Sequence, residues 1–294
     1  MSIVKDIVYA PVSNWEKHTL DLYYPSTPNN SHGSLIVFVH GGAWRTGDKS
    51  EFVEMAKNLA NSTKDVVAVV NYTLSIAAVK DDPTSVPPQA QHPKHVQDVA
   101  TAIGYLHKHA HDHGGYNHER IYLVGHSAGG QITGLLALRP DLYLEPVEAK
   151  LGLHKGALYS AIRGVIGVEG IYNVDSLLKR WPSYRDFVIQ GFGESPEALI
   201  QGSPDGQRVP SGQSFTIPRY AVIQSNQDEL VEREQATEYF SHLQSVAGAP
   251  VADRVVLEFG DWGKHDDMLQ TTQFIETITK YVQDWRTVLN TRDS

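Results

Sequence analysis

Apolar runs of strand length recur along this chain at Leu35–Val39, Val66–Val70, Ile121–Val124, Gly164–Val168, Tyr220–Gln224 and Val255–Phe259. A run without polar alternation predicts a strand buried on both faces, as in a parallel sheet covered by helices. Between these runs, Glu51–Asn61, His95–Ala110, Gln131–Leu138, Glu232–Val246 and Met268–Val288 carry apolar residues three and four positions apart, the spacing of one helix face. Ahead of them, Ile3–Tyr9 and Thr19–Tyr24 alternate polar and apolar residues and are expected to be edge strands with one wet face. The alternation of strand and helix predicts an α/β fold, with a mostly parallel sheet of about eight strands and helices on both faces. Two stretches break the rhythm. Lys80–Pro93 is rich in Pro, Asp and Gln and reads as a surface loop, whereas Tyr172–Pro218 mixes short helical pieces with Gly, Pro and aromatic residues. The second is long for a simple connection and predicts a small cap or lid inserted at residues 172–218 into a single domain spanning residues 1–294.

Composition narrows the function classes. The chain has 294 residues, enough for one large core, and 25 Lys+Arg against 34 Asp+Glu, a formal charge of −9. With no run of basic residues, neither nucleic acid nor an anionic membrane is expected as a partner. Cysteine is absent, which excludes a thiolate nucleophile, a disulfide framework and Cys-ligated zinc. The segment Met1-Ser2-Ile3-Val4-Lys5-Asp6 has no basic patch followed by an apolar core, and no segment approaches 18 consecutive apolar residues. A soluble cytoplasmic protein is therefore expected, and the glycosylation sequons at Asn61 and Asn71 are read as coincidental. A homodimer is compatible with this fold class, but no single apolar face in the sequence specifies one.

The chemistry concentrates at Gly125-His126-Ser127-Ala128-Gly129, a G-x-S-x-G pentapeptide that follows Ile121–Val124 and opens the helical segment Gln131–Leu138. Strand, tight turn and helix in that order form the nucleophile elbow of the α/β-hydrolase fold, which makes Ser127 the candidate nucleophile. A serine needs a base and a group that orients the base, in the chain order Ser, acid, His. Asp228 follows Tyr220–Gln224 and His265 follows Val255–Phe259, both on loops past strand ends, where open α/β sheets place functional groups. Asp205 falls in the predicted cap, Asp253 precedes a strand, and Asp261, Asp266 and Asp267 crowd His265. His242 and His154 do not follow the acid on a strand-end loop. Donors for a developing oxyanion, each worth about 3 to 4 kcal/mol of barrier, are expected from Ala128 and from Gly42 and Ala43, with Gly41 shaping the turn in His40-Gly41-Gly42-Ala43-Trp44. His40 is read as a residue that holds this loop by hydrogen bonds. His107, His109, His111, His113 and His118 cluster before the pentapeptide. They are read as a solvated helix end, because no carboxylate is spaced as a third metal ligand, so neither a metal nor another cofactor is expected.

Taken together, the His40–Trp44 motif, the pentapeptide, Glu169-Gly170-Ile171-Tyr172-Asn173, Asp228 and His265 resemble the kynurenine formamidases (arylformamidases) of the α/β-hydrolase fold, over roughly residues 18 to 285. The resemblance extends to Asn71-Tyr72-Thr73-Leu74-Ser75 and to His92-Pro93 followed by Asp98, positions shared with the hormone-sensitive-lipase-like esterases. It places the family's H-G-G-x-W motif on His40, Gly41, Gly42 and Trp44 and its triad on Ser127, Asp228 and His265. It implies hydrolysis of N-formyl-L-kynurenine to L-kynurenine and formate, a step of tryptophan degradation, with that small molecule as the partner. A cramped acyl pocket and an aromatic leaving-group pocket would follow, with Trp44, Tyr172, Trp181 and Tyr184 as candidate lining. A carboxylesterase for short acyl esters would use the same parts, and a non-catalytic binding protein on this fold would be expected to lack one of the three.

Overall fold

The computed structural model describes residues 1–10, 17–28, 33–76, 90–209, 217–247 and 254–290. Eight strands, β1 (Ser2–Val8), β2 (Thr19–Tyr24), β3 (Gly33–Val39), β4 (Val66–Val70), β5 (Tyr116–His126), β6 (Ile162–Val168), β7 (Arg219–Ser225) and β8 (Val255–Gly260), form one sheet. Their order is β1-β2-β4-β3-β5-β6-β7-β8. β2 runs antiparallel to both of its neighbours, β1 and β4, and β3 to β8 are mutually parallel. From β3 the chain first builds outward to β4 and then returns to the other side of β3 with β5. That reversal opens a crevice at the carboxyl ends of β3 and β5, the position where such sheets bind ligands.

Residues alternate along each strand between two apolar layers. Val37, Val39, Leu123, Val165 and Val222 face the helices Lys94–Lys108, Ala128–Leu138 and Arg233–Ala247, while Phe38, Val69, Val124, Ile166 and Ile223 face Val53–Thr63 and Thr272–Asn290. Burial on both sides is why these strands read as continuous apolar runs. Among the described residues no helix is long and apolar enough to cross a membrane.

Two expectations change, the edge position of β2 and the extent of the helices after Ser127. β2 is not an edge strand: β1 covers its outer side, and Thr19 to Tyr23 are all buried. Its polar position Asp21 faces no solvent but lies 2.7 Å from Lys49 Nζ, which also reaches Asp6 at 2.6 Å, so the alternation that reads as a wet face is a buried ion pair. The helix after Ser127 begins at Ala128, three residues before the apolar periodicity starts, and Pro140–Tyr143, Glu145–Leu151 and Ala157–Ala161 are helices too short to show that periodicity. The segment read as a cap forms three short helices, Val174–Arg180, Arg185–Phe192 and Pro196–Gln201. Asn173 and Ser195 cap the first and third by accepting from the Ser176 and Ala198 N–H groups. Residues 80–89 of the expected loop and residues 210–216 lie outside the described residues.

Replacing Asp21 with Ala leaves the buried Lys49 ammonium with only the exposed carboxylate of Asp6. The variant is expected to lose about 3 kcal/mol of stability, measured as a fall in the denaturant midpoint at unchanged slope.

Candidate active site

Ser127 sits between β5 and the helix Ala128–Leu138 at φ 53° and ψ −116°, a conformation that side chains other than glycine rarely adopt. The two glycines of the pentapeptide let strand and helix close on each other. A Cβ on Gly125 would lie 2.2 Å from the Gly129 carbonyl oxygen, and one on Gly129 would lie 2.0 Å from that of Val39. The turn is pinned from the neighbouring strand, where the Val168 carbonyl accepts the Ser127 N–H at 2.9 Å.

Asp228 follows β7, and its Oδ1 accepts the N–H groups of Leu230 at 2.9 Å and Val231 at 3.0 Å. Its Oδ2 lies 3.0 Å from His265 Nδ1 and 3.3 Å from Gln224 Nε2. With Nδ1–H donating to the carboxylate, His265 Nε2 is an acceptor, and the ring opens onto the same cavity as Ser127. The two loops are tied together. Ser225 Oγ donates to the Gly263 carbonyl at 2.6 Å, Gln227 accepts the Gly263 N–H at 2.8 Å, and Glu229 accepts the His265 N–H at 3.1 Å.

Gly41 abuts the serine, since a Cβ there would lie 2.9 Å from Ser127 Cβ. Gly42, Ala43 and Trp44 follow at φ 100°, 51° and 59°, and the Gly42 carbonyl accepts the N–H groups of Arg45 at 3.0 Å and Thr46 at 2.9 Å. This reversal puts Gly42 and Ala43 on the cavity wall. Ala128, as the first helical residue, has an N–H with no partner inside its helix. His40 donates from Nδ1 to the Gly41 carbonyl at 2.8 Å and stacks on Tyr72 at 4.5 Å. Burial pushes its pKa down to about 4, so it remains a neutral strut at physiological pH.

A cavity of about 300 Å³ is lined by Gly42, Ala43, Ser127, His265, Ile171, Tyr184, Phe187, Leu230 and Val231, with Arg45, Thr46 and Asp266 completing its wall. Of the four residues expected to line a leaving-group pocket, Tyr184 is on this wall; its hydroxyl donates to the Leu230 carbonyl at 3.0 Å. The others are elsewhere. Trp44 is fully buried, donates from Nε1 to Gln131 Oε1 at 2.9 Å and packs edge-on against Phe192, so it anchors the glycine loop to the helix. Tyr172 is buried against Tyr239, with ring centroids 4.0 Å apart. Trp181 donates to Glu232 Oε2 at 2.9 Å and stacks on Tyr184, behind the wall. The sequence did not single out Arg45 and Phe187, and Asp266, read there only as crowding His265, is a wall residue. Arg45 directly follows the H-G-G-x-W motif, and Asp266 directly follows His265, which is the signal that could have drawn attention to them. Among the rival acids, Asp205 accepts from Asn173 and Asp261 from Asn226, while Asp253 lies outside the described residues.

The histidine cluster also differs from the expectation of a fully solvated helix end. His107 is 8% exposed. Glu119 supplies the carboxylate that spacing alone did not reveal, with Oε1 3.3 Å from both His107 Nε2 and His118 Nε2. Among the described residues, this trio and the buried trio His126, Glu169 and His265 are the groups whose donor atoms approach closely enough to hold a cation.

The sequence profile of the BD-FAE family matches residues 20–243, spanning the glycine loop, the serine turn and Asp228. The chain belongs to the BD-FAE family. It is similar to the kynurenine formamidase of Meyerozyma guilliermondii, with 27% identity over 248 residues covering 83% of this chain and 82% of that protein. It is also similar to kynurenine formamidase avaC of Aspergillus versicolor, with 28% identity over 281 residues covering 85% and 89%. A solved truncated form of a carbohydrate esterase from gut microbiota shares its α/β-hydrolase fold, with a TM-score of 0.72 and 17% identity over 98% of this chain and 97% of that one.

Because Trp44 ties the loop to Gln131, Trp44→Phe leaves a buried acceptor without its donor, and a loss of about 1–3 kcal/mol in stability is expected by thermal or denaturant unfolding.

Proposed function

We propose that the chain is a serine hydrolase that removes the formyl group of N-formyl-L-kynurenine, releasing L-kynurenine and formate. The observation that carries this reading is the make-up of one cavity: Ser127 and His265 share it with the aromatic rings of Tyr184 and Phe187 and with the oppositely charged Arg45 and Asp266. The proposed substrate joins an aryl formamide to an amino-acid end bearing a carboxylate and an ammonium. Tyr184 and Phe187 offer a surface for the ring, while Arg45 and Asp266 offer one charge to each end group. Both charged residues are exposed, and neither forms an ion pair among the described residues. The two kynurenine formamidase relatives support the same reading.

In the proposed reaction Asp228 keeps the proton of His265 on Nδ1, so that Nε2 takes the hydroxyl proton of Ser127 as its oxygen attacks the formyl carbon. The N–H groups of Gly42, Ala43 and Ala128 hold the resulting oxyanion, preorganised by the left-handed turns and the helix start. His265 then delivers its proton to the departing aryl nitrogen, leaving a formyl ester on Ser127. Water that loses a proton to His265 Nε2 attacks this ester, and formate leaves as the proton returns to Ser127. No step requires a metal.

A general carboxylesterase would employ the same serine, so substrate preference decides between them. The kcat/KM for N-formyl-L-kynurenine is expected to exceed that for p-nitrophenyl acetate, and Ser127→Ala is expected to lower kcat by about 10⁴-fold or more. Negligible formamidase activity beside rapid acetate turnover would reject the assignment. Arg45→Ala is expected to raise the KM for N-formyl-L-kynurenine about tenfold, more than it raises that for the uncharged acetate; equal effects on the two substrates would remove Arg45 from substrate recognition.

A further inference from the structure

Glu169 is the first residue after β6 and lies beside His265, with its Oε2 3.4 Å from Nδ1. Its side chain is fully buried, and its φ of 48° is an uncommon conformation for a residue with a Cβ, of the kind that persists only where the surroundings enforce it. The enforcement is visible: its N–H donates to the Ile223 carbonyl at 2.9 Å, and its Oε1 accepts the Ser225 N–H at 3.2 Å. Oε2 has no hydrogen-bond partner, yet it is aimed between two imidazoles, 3.4 Å from His265 Nδ1 and 3.6 Å from His126 Nε2. His126 Nε2 donates to the His265 carbonyl at 3.1 Å, which holds both rings around this oxygen. Two carboxyl groups therefore converge on one ring nitrogen, Asp228 at 3.0 Å and Glu169 at 3.4 Å.

We infer that Glu169 is a positioning residue that shares His265 with Asp228: the two acids hold one proton between them, and Glu169 takes over the Nδ1–H of His265 when Asp228 loses its charge. This rests on the serine-hydrolase reading above. Two adjacent carboxylates in a site of low polarity cannot both remain ionised beside a neutral imidazole. Burial first, and then the charge of Asp228, push the Glu169 carboxyl up to about 9, so in the resting site the shared proton belongs to Glu169. Glu229 and Asp266 face it as well and act in the same direction, while His126, His265 and Tyr172 complete its surroundings. Neutralising Asp228 removes the nearest negative charge, so Glu169 then ionises at lower pH and becomes the acceptor of the Nδ1–H bond. No bond is broken other than the O–H bond of that carboxyl, whose proton leaves to solvent.

The test is a two-by-two set of variants, Glu169→Gln, Asp228→Asn and their combination, read by the rate at which a fluorophosphonate labels Ser127. That readout requires an activated serine but not the proposed substrate. Glu169→Gln alone is expected to slow labelling by less than about tenfold, whereas in the Asp228→Asn background it should slow it by about 100-fold, because the second acid is then the only one left. The same factor in both backgrounds would overturn the inference, since equal factors are the mark of two groups that act independently. If Glu169→Gln does not fold, Asp228→Asn alone decides. Its labelling rate should keep climbing between about pH 7 and 9, where that of the wild-type protein has levelled, because burial holds Glu169 above the usual carboxylate range; a level profile would overturn the inference. Labelling of the wild-type protein without formamidase activity would reject the substrate and leave this inference standing. No labelling of the wild-type protein would reject the serine-hydrolase reading and this inference together.

Discussion

The close approach of three backbone segments, the end of β3, the end of β5 and the first turn of the helix Ala128–Leu138, governs the rest of the site. Gly129 has no room for a Cβ beside the Val39 carbonyl, Gly125 none beside Gly129, and Gly41 none beside Ser127. Only glycine permits this packing, and the packing leaves a single serine at the apex of a turn with the glycine loop in front of it. The sheet reversal between β3 and β5 supplies the crevice into which the apex projects. A looser junction would leave the same residues present but too far apart to act on one carbonyl group.

Around this junction, positions are held mostly by polar groups that water does not reach. Trp44 fastens the loop through Gln131, whose amide also donates to the Gly202 carbonyl at 2.7 Å, so one side chain joins the glycine loop, the serine helix and the helix segment following the Arg185–Phe192 helix. His40 braces the same loop from the opposite side, neutral and stacked against Tyr72. Asp228 accepts from His265 Nδ1, and His126 donates to the His265 carbonyl. Each of these groups would be destabilising if left unpaired. Paired, they over-determine one geometry for the loops.

How far the residues could be read without coordinates depended on the range of the interactions involved. The core strands and long helices were legible because burial on both faces writes an uninterrupted run and burial on one face writes a period. Ser127, Asp228 and His265 could be named because their chain order and strand-end positions follow local rules, and in the fold Asp228 and His265 meet at 3.0 Å. Trp44 and Tyr172 were misread as pocket lining because an aromatic side chain beside a motif can turn either inward or outward, and packing against Phe192 and Tyr239 turned both inward. Asp21 misled in the same way, its polarity satisfied by Lys49 from a distant turn.

Local sequence was sufficient for the α/β class, the strand-turn-helix setting of the serine and the absence of any thiol chemistry, since these depend on periodicity, glycine spacing and composition. Three further features required the folded chain: Glu169 beside His265, Glu119 between two histidines, and the joining of Arg45, Tyr184, Phe187 and Asp266 into one cavity wall. Glu169 and the cavity wall depend on residues of different strand-end loops and helices meeting, and the Glu119 group on a strand meeting the helix before it; no spacing along the chain encodes such meetings. They follow from how the layers pack, which sets distances between side chains that are remote in sequence.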